Sequence, residues 1–254
     1  NILACIMPAS SGTARICGLD VFEQSLKIRK LIGYLPETPP LYSDMVISDY
    51  LAFAARIRNV PKTHTALAVD RVVEKCSLTE VRNRIVGRLS KGFQQRVGIA
   101  QALIHDPDIL ILDEPTIGLD PIQIIEIRKL IQELAASHTI ILSSHILPEI
   151  TQICKRVIIL NDGEIAAVDS LEALTARLRK GDRLFLRVRQ ADIGAVDKLN
   201  ALSRVVAVTQ QEDGQFVIEC EPHANIQDAI AKLALDQGWG IVELTPASVT
   251  LEDI

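Results

Sequence analysis

The apolar positions of this chain follow two rhythms, and each predicts its own kind of element. Uninterrupted apolar runs of strand length occur in "DILILD" (108–113) and "TIILSSH" (139–145). Both predict buried strands covered on both faces of a parallel sheet. Between and before them the apolar residues recur at three- and four-residue intervals. Phe93, Val97, Ala100 and Leu103/Ile104 predict a helix over "RLSKGFQQRVGIAQALIHDPD", with Ser90 as its cap and Pro107 just past its end. Ile124, Ile127, Ile131 and Leu134 predict an amphipathic helix over 122–135. Residues 46–86 read as mostly helical, with Leu67, Val72, Val73 and Cys76 on one stripe, and "LPEITQIC" reads as helical too. Earlier, "GTARICG" predicts a short strand, and "KLIGYLPETPPLY" a strand that breaks into a loop at Pro36, Pro39 and Pro40. Strands alternating with helices make this an α/β fold.

The tone changes near Lys180-Gly181-Asp182. "RVIILNDGEIAAVD" before it reads as a hairpin turning at Asp162-Gly163. After it come a strand "RLFLRVRQ", a helix with Ile193, Val196 and Leu199 on one side, and two strands around Glu212-Asp213-Gly214. A second helix, "IQDAIAKLALDQGW", and a last strand, "GIVELTP", complete the order β-α-β-β-α-β. That order predicts a small α+β, ferredoxin-like C-terminal domain over 179–254, behind a first domain over 1–178. At the other end Ile2, Leu3, Ile6 and Met7 stand at helical spacing until Pro8, with no cap. That start and the unterminated "SVTLEDI" are expected to be edges of a longer chain.

Composition narrows the function classes. With 48% apolar residues the chain can build a full core, and no apolar run approaches the ~20 residues of a membrane helix. Net charge is −5 and the signs are mixed, without the basic stripe of a dedicated nucleic-acid surface. Cys5, Cys17, Cys76, Cys154 and Cys220 are scattered without a C-x-x-C pair, so they read as reduced, mostly buried thiols. No signal peptide is visible.

Three places carry candidate chemistry. A buried strand that ends in Asp113-Glu114 pays for two acids unless they have partners or work. In open α/β sheets ligands bind at the carboxyl ends of strands. One acid could hold Mg²⁺ and the next could orient a water; the alternative is a solvated strand end. Ser90, with Gly92, offers a hydroxyl and free N–H groups at a helix N-terminus, either an anion site or an ordinary cap. His145 ends "TIILSSH" at the same sheet edge, either to reach a phosphate or as a satisfied surface or core histidine. His64, His105, His138 and His223 take that second reading.

Order and spacing together carry a resemblance. The segment "LSKGFQQRVGIAQAL" resembles the signature motif of ATP-binding cassette (ABC) transporter ATPases. "ILILDEP" looks like their Walker B strand with its following glutamate, "GLDP" (118–121) like the D-loop, and "SSH" like the switch-histidine loop. "GYLPETPPLY" occupies the place of the Q-loop, and the resemblance covers residues 1 to about 175. It implies a P-loop-NTPase-like ABC ATPase domain with a helical subdomain over about 41–89, using ATP and Mg²⁺ at a head-to-tail dimer interface. Asp113 would serve the metal, Glu114 would polarise the attacking water, and His145 would contact the γ-phosphate. Ser90 and Gly92 would hold the γ-phosphate of nucleotide bound mainly to the other protomer, and Asp120 would link the two sites. No Gly is followed by Lys, so G-x-x-x-x-G-K-[ST] is absent. "NILACIMPASSG" looks like the tail of the helix that this loop opens. The implied explanation is truncation, and this stretch alone is expected to bind ATP poorly.

The match has departures. The Q-loop position holds Glu37 in place of Gln, and the signature holds Lys91 and Phe93 where Gly and Gln are usual. Neither signature change touches Ser90 or Gly92. The subgroup resembled is that of bacterial drug-export and gliding-motility-type ATPases, which power separate membrane permeases from the cytoplasmic face. Two other readings stand beside it: a soluble ABC protein acting on nucleic acid or ribosomes, and a non-catalytic regulatory subunit. Only about fifty residues separate Glu37 from Ser90, which leaves no room for a long insertion. The C-terminal domain is open to regulation, dimer contacts or plain support.

Overall fold

In the computed structural model, strand β4 (Ile109–Asp113) lies between two parallel neighbours, β3 (Ile32–Leu35) and β5 (Thr139–Ser143). The structure describes residues 1–170, 173–174, 182–221 and 224–246. They fall into two compact units, Asn1–Ile153 and Cys154–Ile254.

Parallel neighbours need long crossovers, and helices supply them here. Between β3 and β4 run α2 (Ile47–Ile57), α3 (Lys62–Lys75), two short 3-10 turns and α4 (Lys91–Leu103). Between β4 and β5 runs α5 (Pro121–Leu134), and α6 (Leu147–Ile153) follows β5. Ahead of β3 lie a small hairpin, β1 (Arg15–Ile16) with β2 (Leu19–Asp20), and α1 (Ser25–Leu31). The start of α4 is capped by Ser90, whose Oγ accepts from the Phe93 N–H at 3.5 Å. Asp120 caps α5 in the same way, accepting from Gln123 N–H at 2.9 Å, and Pro121 fits the first turn where an N–H would be unused. The main core joins Val97, Ile99, Ala100 and Leu103 of α4 to Leu110 and Leu112 of β4 and to Ile127 and Ile131 of α5. Gly33 lets α4 settle onto β3: a Cβ there would lie 2.3 Å from the Ala102 carbonyl oxygen.

Several expectations need correction. β5 is not buried along its length; it alternates exposed and half-buried residues, with Ile141 42% exposed. Among the described residues β5 has one strand neighbour, β4, so its far edge has no partner. Residues 1–6 form turns closed by Cys5 N–H to Ile2 O and Ile6 N–H to Asn1 O, not a regular helix. They bury Ala4 and Cys5, while Ile6 and Met7 stay exposed. Arg29 fixes this segment by donating to the Cys5 carbonyl at 2.6 Å. Leu67 of α3 faces outward, and Val69 takes its place in the stripe with Val72 and Val73.

In the second unit β6 (Arg156–Asn161) and β7 (Glu164–Ser170) form the expected hairpin. Asp162 and Gly163, at its turn, both have positive φ, as a type I′ turn requires. Further on come β8 (Asp182–Val188), α7 (Ala195–Asn200), β9 (Val205–Glu212), β10 (Gln215–Cys220), α8 (Gln227–Asp236) and β11 (Ile241–Pro246). The four strands form one antiparallel sheet in the order β11-β8-β10-β9. One face buries Leu184, Leu186, Val188, Phe216 and Ile218 with Leu199, Ile230 and Ala234 from the helices. Ile193, expected on the buried stripe, precedes α7 and is fully exposed; Ala195 and Leu199 carry the contact. The boundary expected between 178 and 179, His223 and "SVTLEDI" lie outside the described residues. Among the described residues no helix is long and apolar enough to cross a membrane.

The close approach at Gly33 sets a test. Gly33→Ala should cost about 2 kcal/mol in chemical denaturation of the purified protein, the scale of forced overpacking. Unchanged stability would show that α4 does not rest on β3 at this point.

Candidate active site

Because β3, β4 and β5 are parallel, their carboxyl ends open on one edge. Register places Asp113 opposite Ser143. The Ser143 hydroxyl donates to Asp113 Oδ1 at 2.5 Å, and the Tyr34 hydroxyl from β3 donates to Asp113 Oδ2 at 3.4 Å. Burial, with the charge of Asp113 added, pushes the Tyr34 hydroxyl above its ordinary value, so it remains a donor. The next residue, Glu114, turns the chain in the left-handed region at φ 45°. That conformation is unfavourable for a residue with a Cβ and persists only when its surroundings hold it. Ser143 does so: Glu114 N–H donates to the Ser143 carbonyl and hydroxyl oxygens, each at 3.2 Å.

His145 closes the group. Its Nδ1 lies 2.9 Å from Glu114 Oε2. The imidazole is exposed, and its pKa is raised above the ordinary value chiefly by the hydrogen bond and charge of Glu114, with Glu149 and Glu37 adding to the field. Glu37, in the loop after β3, is exposed. The structure therefore brings Asp113, Glu114 and His145 together, with Glu37 near enough to be felt. Ser90, Gly92 and Asp120 form a second group at the starts of α4 and α5. A Cβ on Gly92 would lie 2.7 Å from the Gln123 side chain, so this glycine is what lets the two helix starts meet. Among the described residues no hydrogen bond or ion pair joins the two groups.

Comparison with known proteins gives this geometry its family. The sequence profile described as ABC transporter matches residues 1–117. The bacitracin transport ATP-binding protein BcrA of Bacillus licheniformis is 34% identical over 255 residues, covering 99% of this chain and 80% of that protein. The chain belongs to the ABC transporter ATP-binding protein family. An uncharacterized ABC transporter ATP-binding protein of Bacillus subtilis, YxlF, is 30% identical over 254 residues, covering 100% of this chain and 83% of its own. Among solved structures, cbiO1 from Clostridium perfringens, part of the ABC transporter complex cbiONQ, aligns with TM-score 0.63 and 27% identity. It covers 69% of this chain and 72% of that one. The α/β unit with its helical subdomain is thus an ABC-type ATPase domain.

Nucleotide and Mg²⁺ are typical of the family, and the ABC ATPase residues fit them in part. Mg²⁺ keeps several waters and takes one or two carboxylates plus phosphate oxygens. Among the described residues no cluster of three or more His, Cys, Asp or Glu forms a metal cage, and Asp113 presents one carboxylate steadied by two hydroxyls. That donor set suits an ion completed by phosphate and water.

Sequence reasoning missed Tyr34 and Ser143. Ser143 stood inside the quoted "SSH", but its role needs the register of β4 on β5. Tyr34 gave no signal beyond one polar atom on an apolar strand. Of the remaining described histidines, His105 Nε2 lies 3.1 Å from the Ile32 carbonyl and His138 Nδ1 2.8 Å from that of Pro107, but the second ring nitrogen of each is buried without a hydrogen-bond partner; His64 is exposed beside Thr63.

The raised pKa of His145 sets a pH dependence. A protonated imidazole beside Glu114 stabilises the folded site fully below the ordinary value of 6.5, and that contribution disappears as pH rises through the raised value. An NMR titration should give His145 a midpoint above 6.5, and Glu114→Gln should bring it back down. An unmoved midpoint would mean that Glu114 does not set the state of His145.

Proposed function

We propose that this chain is the ATP-hydrolysing subunit that powers a separate membrane permease, in an export system of the drug-export and gliding-motility type. The observation that carries the catalytic reading is His145 Nδ1 at 2.9 Å from Glu114 Oε2, on the edge where Asp113 meets Ser143. Bound Mg²⁺–ATP would supply the phosphoryl group and the ion that neutralises its charge. Asp113, oriented by Ser143 and Tyr34, serves the ion. Glu114 accepts a hydrogen bond from the attacking water and holds it in line, and His145 donates to the γ-phosphate. A second copy, packed head to tail, brings Ser90 and the α4 N-terminus to the same phosphate, where N–H groups and the helix dipole favour an anion. Asp120 lies beside that start and links the two sites. Glu37 faces the metal side from the loop after β3.

The permease reading rests on similarity to a bacitracin transport ATP-binding protein along nearly the whole chain. A groove on the helical subdomain supports it. Tyr42 packs edge-on against Tyr50 and Phe53, with ring centres 6.0 and 5.5 Å apart, and with Ile57 and Arg58 these residues line a cavity of about 200 Å³. An aromatic groove with apolar Ile57 exposed suits a short cytoplasmic helix of a permease, which would place the subunit at the cytoplasmic face of the membrane. We propose that the βαββαβ unit, whose sheet order matches a ferredoxin-like fold, is a separate domain over about 179–254.

The test is hydrolysis by the native protein. Glu114→Gln should lower kcat by about 10²-fold or more while ATP is still bound, the scale expected when one positioned proton-accepting group is lost. Hydrolysis that survives at the native rate would remove Glu114 from the mechanism, whereas a native protein that hydrolyses no ATP would favour the regulatory reading.

A further inference from the structure

Among the described residues three polar side chains are buried: Gln95, Thr116 and Glu149. Two of them bond each other. Thr116 is 2% exposed and Glu149 4%, and the Thr116 hydroxyl donates to Glu149 Oε2 at 2.5 Å. Burying a carboxylate is costly unless it is paired, so the position of this bond matters.

The bond lies between the two segments that carry the site. Thr116 is two residues past Glu114, inside the turn closed by Ile117 N–H to the Glu114 carbonyl at 3.2 Å. Glu149 is four residues past His145, in the first turn of α6, and its N–H donates to the Ile146 carbonyl at 3.0 Å. The segments 113–116 and 143–149 are therefore tied at three levels. Ser143 holds Asp113 and the Glu114 N–H, His145 meets Glu114, and Glu149 holds Thr116. The His145 side chain is 66% exposed, so packing does not fix it. Its backbone must: β5 fixes the side before it, and the Glu149–Thr116 bond fixes the side after it. The same bond braces the turn that keeps Glu114 at a positive φ.

We propose that Glu149 is a positioning residue of the ATPase, holding His145 and the Glu114 turn at a fixed separation through Thr116. The proposal rests on the catalytic reading given above. A reacting group displaced by a fraction of an ångström loses rate while substrate still binds, so the effect falls on kcat and spares KM.

The test compares four variants of the native protein. Glu149→Ala and Thr116→Val should each lower kcat about tenfold and change KM for ATP by less than about twofold. Glu149→Gln, which keeps an oxygen to accept from Thr116, and Thr116→Ser, which keeps the hydroxyl, should recover most of that rate. The double variant Glu149→Ala/Thr116→Val should lose no more than either single one, because both break one bond. Losses that multiply, absence of rescue by Gln and Ser, or a fall in kcat that only tracks the folded fraction would overturn the proposal. The NMR signals of the His145 ring give a readout that needs no hydrolysis. They should shift or broaden in Thr116→Val and match the native protein in Thr116→Ser; signals unmoved in Thr116→Val would also overturn it. A native protein that hydrolyses no ATP would refute the catalytic reading, and the ring signals would still decide whether the bond positions His145.

Discussion

The parallel pairing of β4 with β3 on one side and β5 on the other is the constraint on which the site depends. Parallel strands present their carboxyl ends on one edge, so three loops far apart in the chain open side by side. The pairing opposes Asp113 to Ser143 and brings the hydroxyls of Ser143 and Tyr34 to one carboxylate. A slip of one residue in β5 would turn Ser143 away from Asp113 and remove two of the acceptors that hold Glu114. The close seating of α4 at Gly33 and Gly98 fixes the sheet from one face, since a Cβ at either position would collide with a neighbour. Packing in the core and chemistry at the edge are thus linked through the register of three short strands.

A second consequence concerns strain. Glu114 follows the last β4 residue in a conformation that a side chain disfavours. The sheet supplies two acceptors for its N–H, and the turn after it is closed by its own carbonyl. The result aims a carboxylate out of the strand direction and toward His145. A relaxed extended residue would continue along the strand. Strain at this position is a geometric requirement of bringing two catalytic candidates from neighbouring loops within hydrogen-bond distance.

Much of this was legible in the residues. The apolar run of β4, the stripes of α4 and α5, the Ser90 cap and the β-α-β-β-α-β order of the second unit all follow from periodicity and turn chemistry. Asp113, Glu114 and His145 were visible because charge at the end of an apolar strand has no packing reason to be there. What escaped reading depends on which neighbours a segment finds. β5 has the apolar run of an inner strand, yet it has one strand neighbour among the described residues and half of it is exposed. Leu67 and Ile193 fit their helical stripes by spacing but lie outside the packed face. Ser143, Tyr34 and the Thr116–Glu149 pair act across strands and loops, and spacing along the chain says nothing of such contacts.

The most direct test of the central claim is a structure of the native protein carrying Glu114→Gln with Mg²⁺ and ATP. The ion should lie beside Asp113, the γ-phosphate beside His145, and the Ser90 end of α4 from a second copy against the same phosphate. Nucleotide bound away from the carboxyl edge of β4, or a γ-phosphate out of reach of His145, would contradict it.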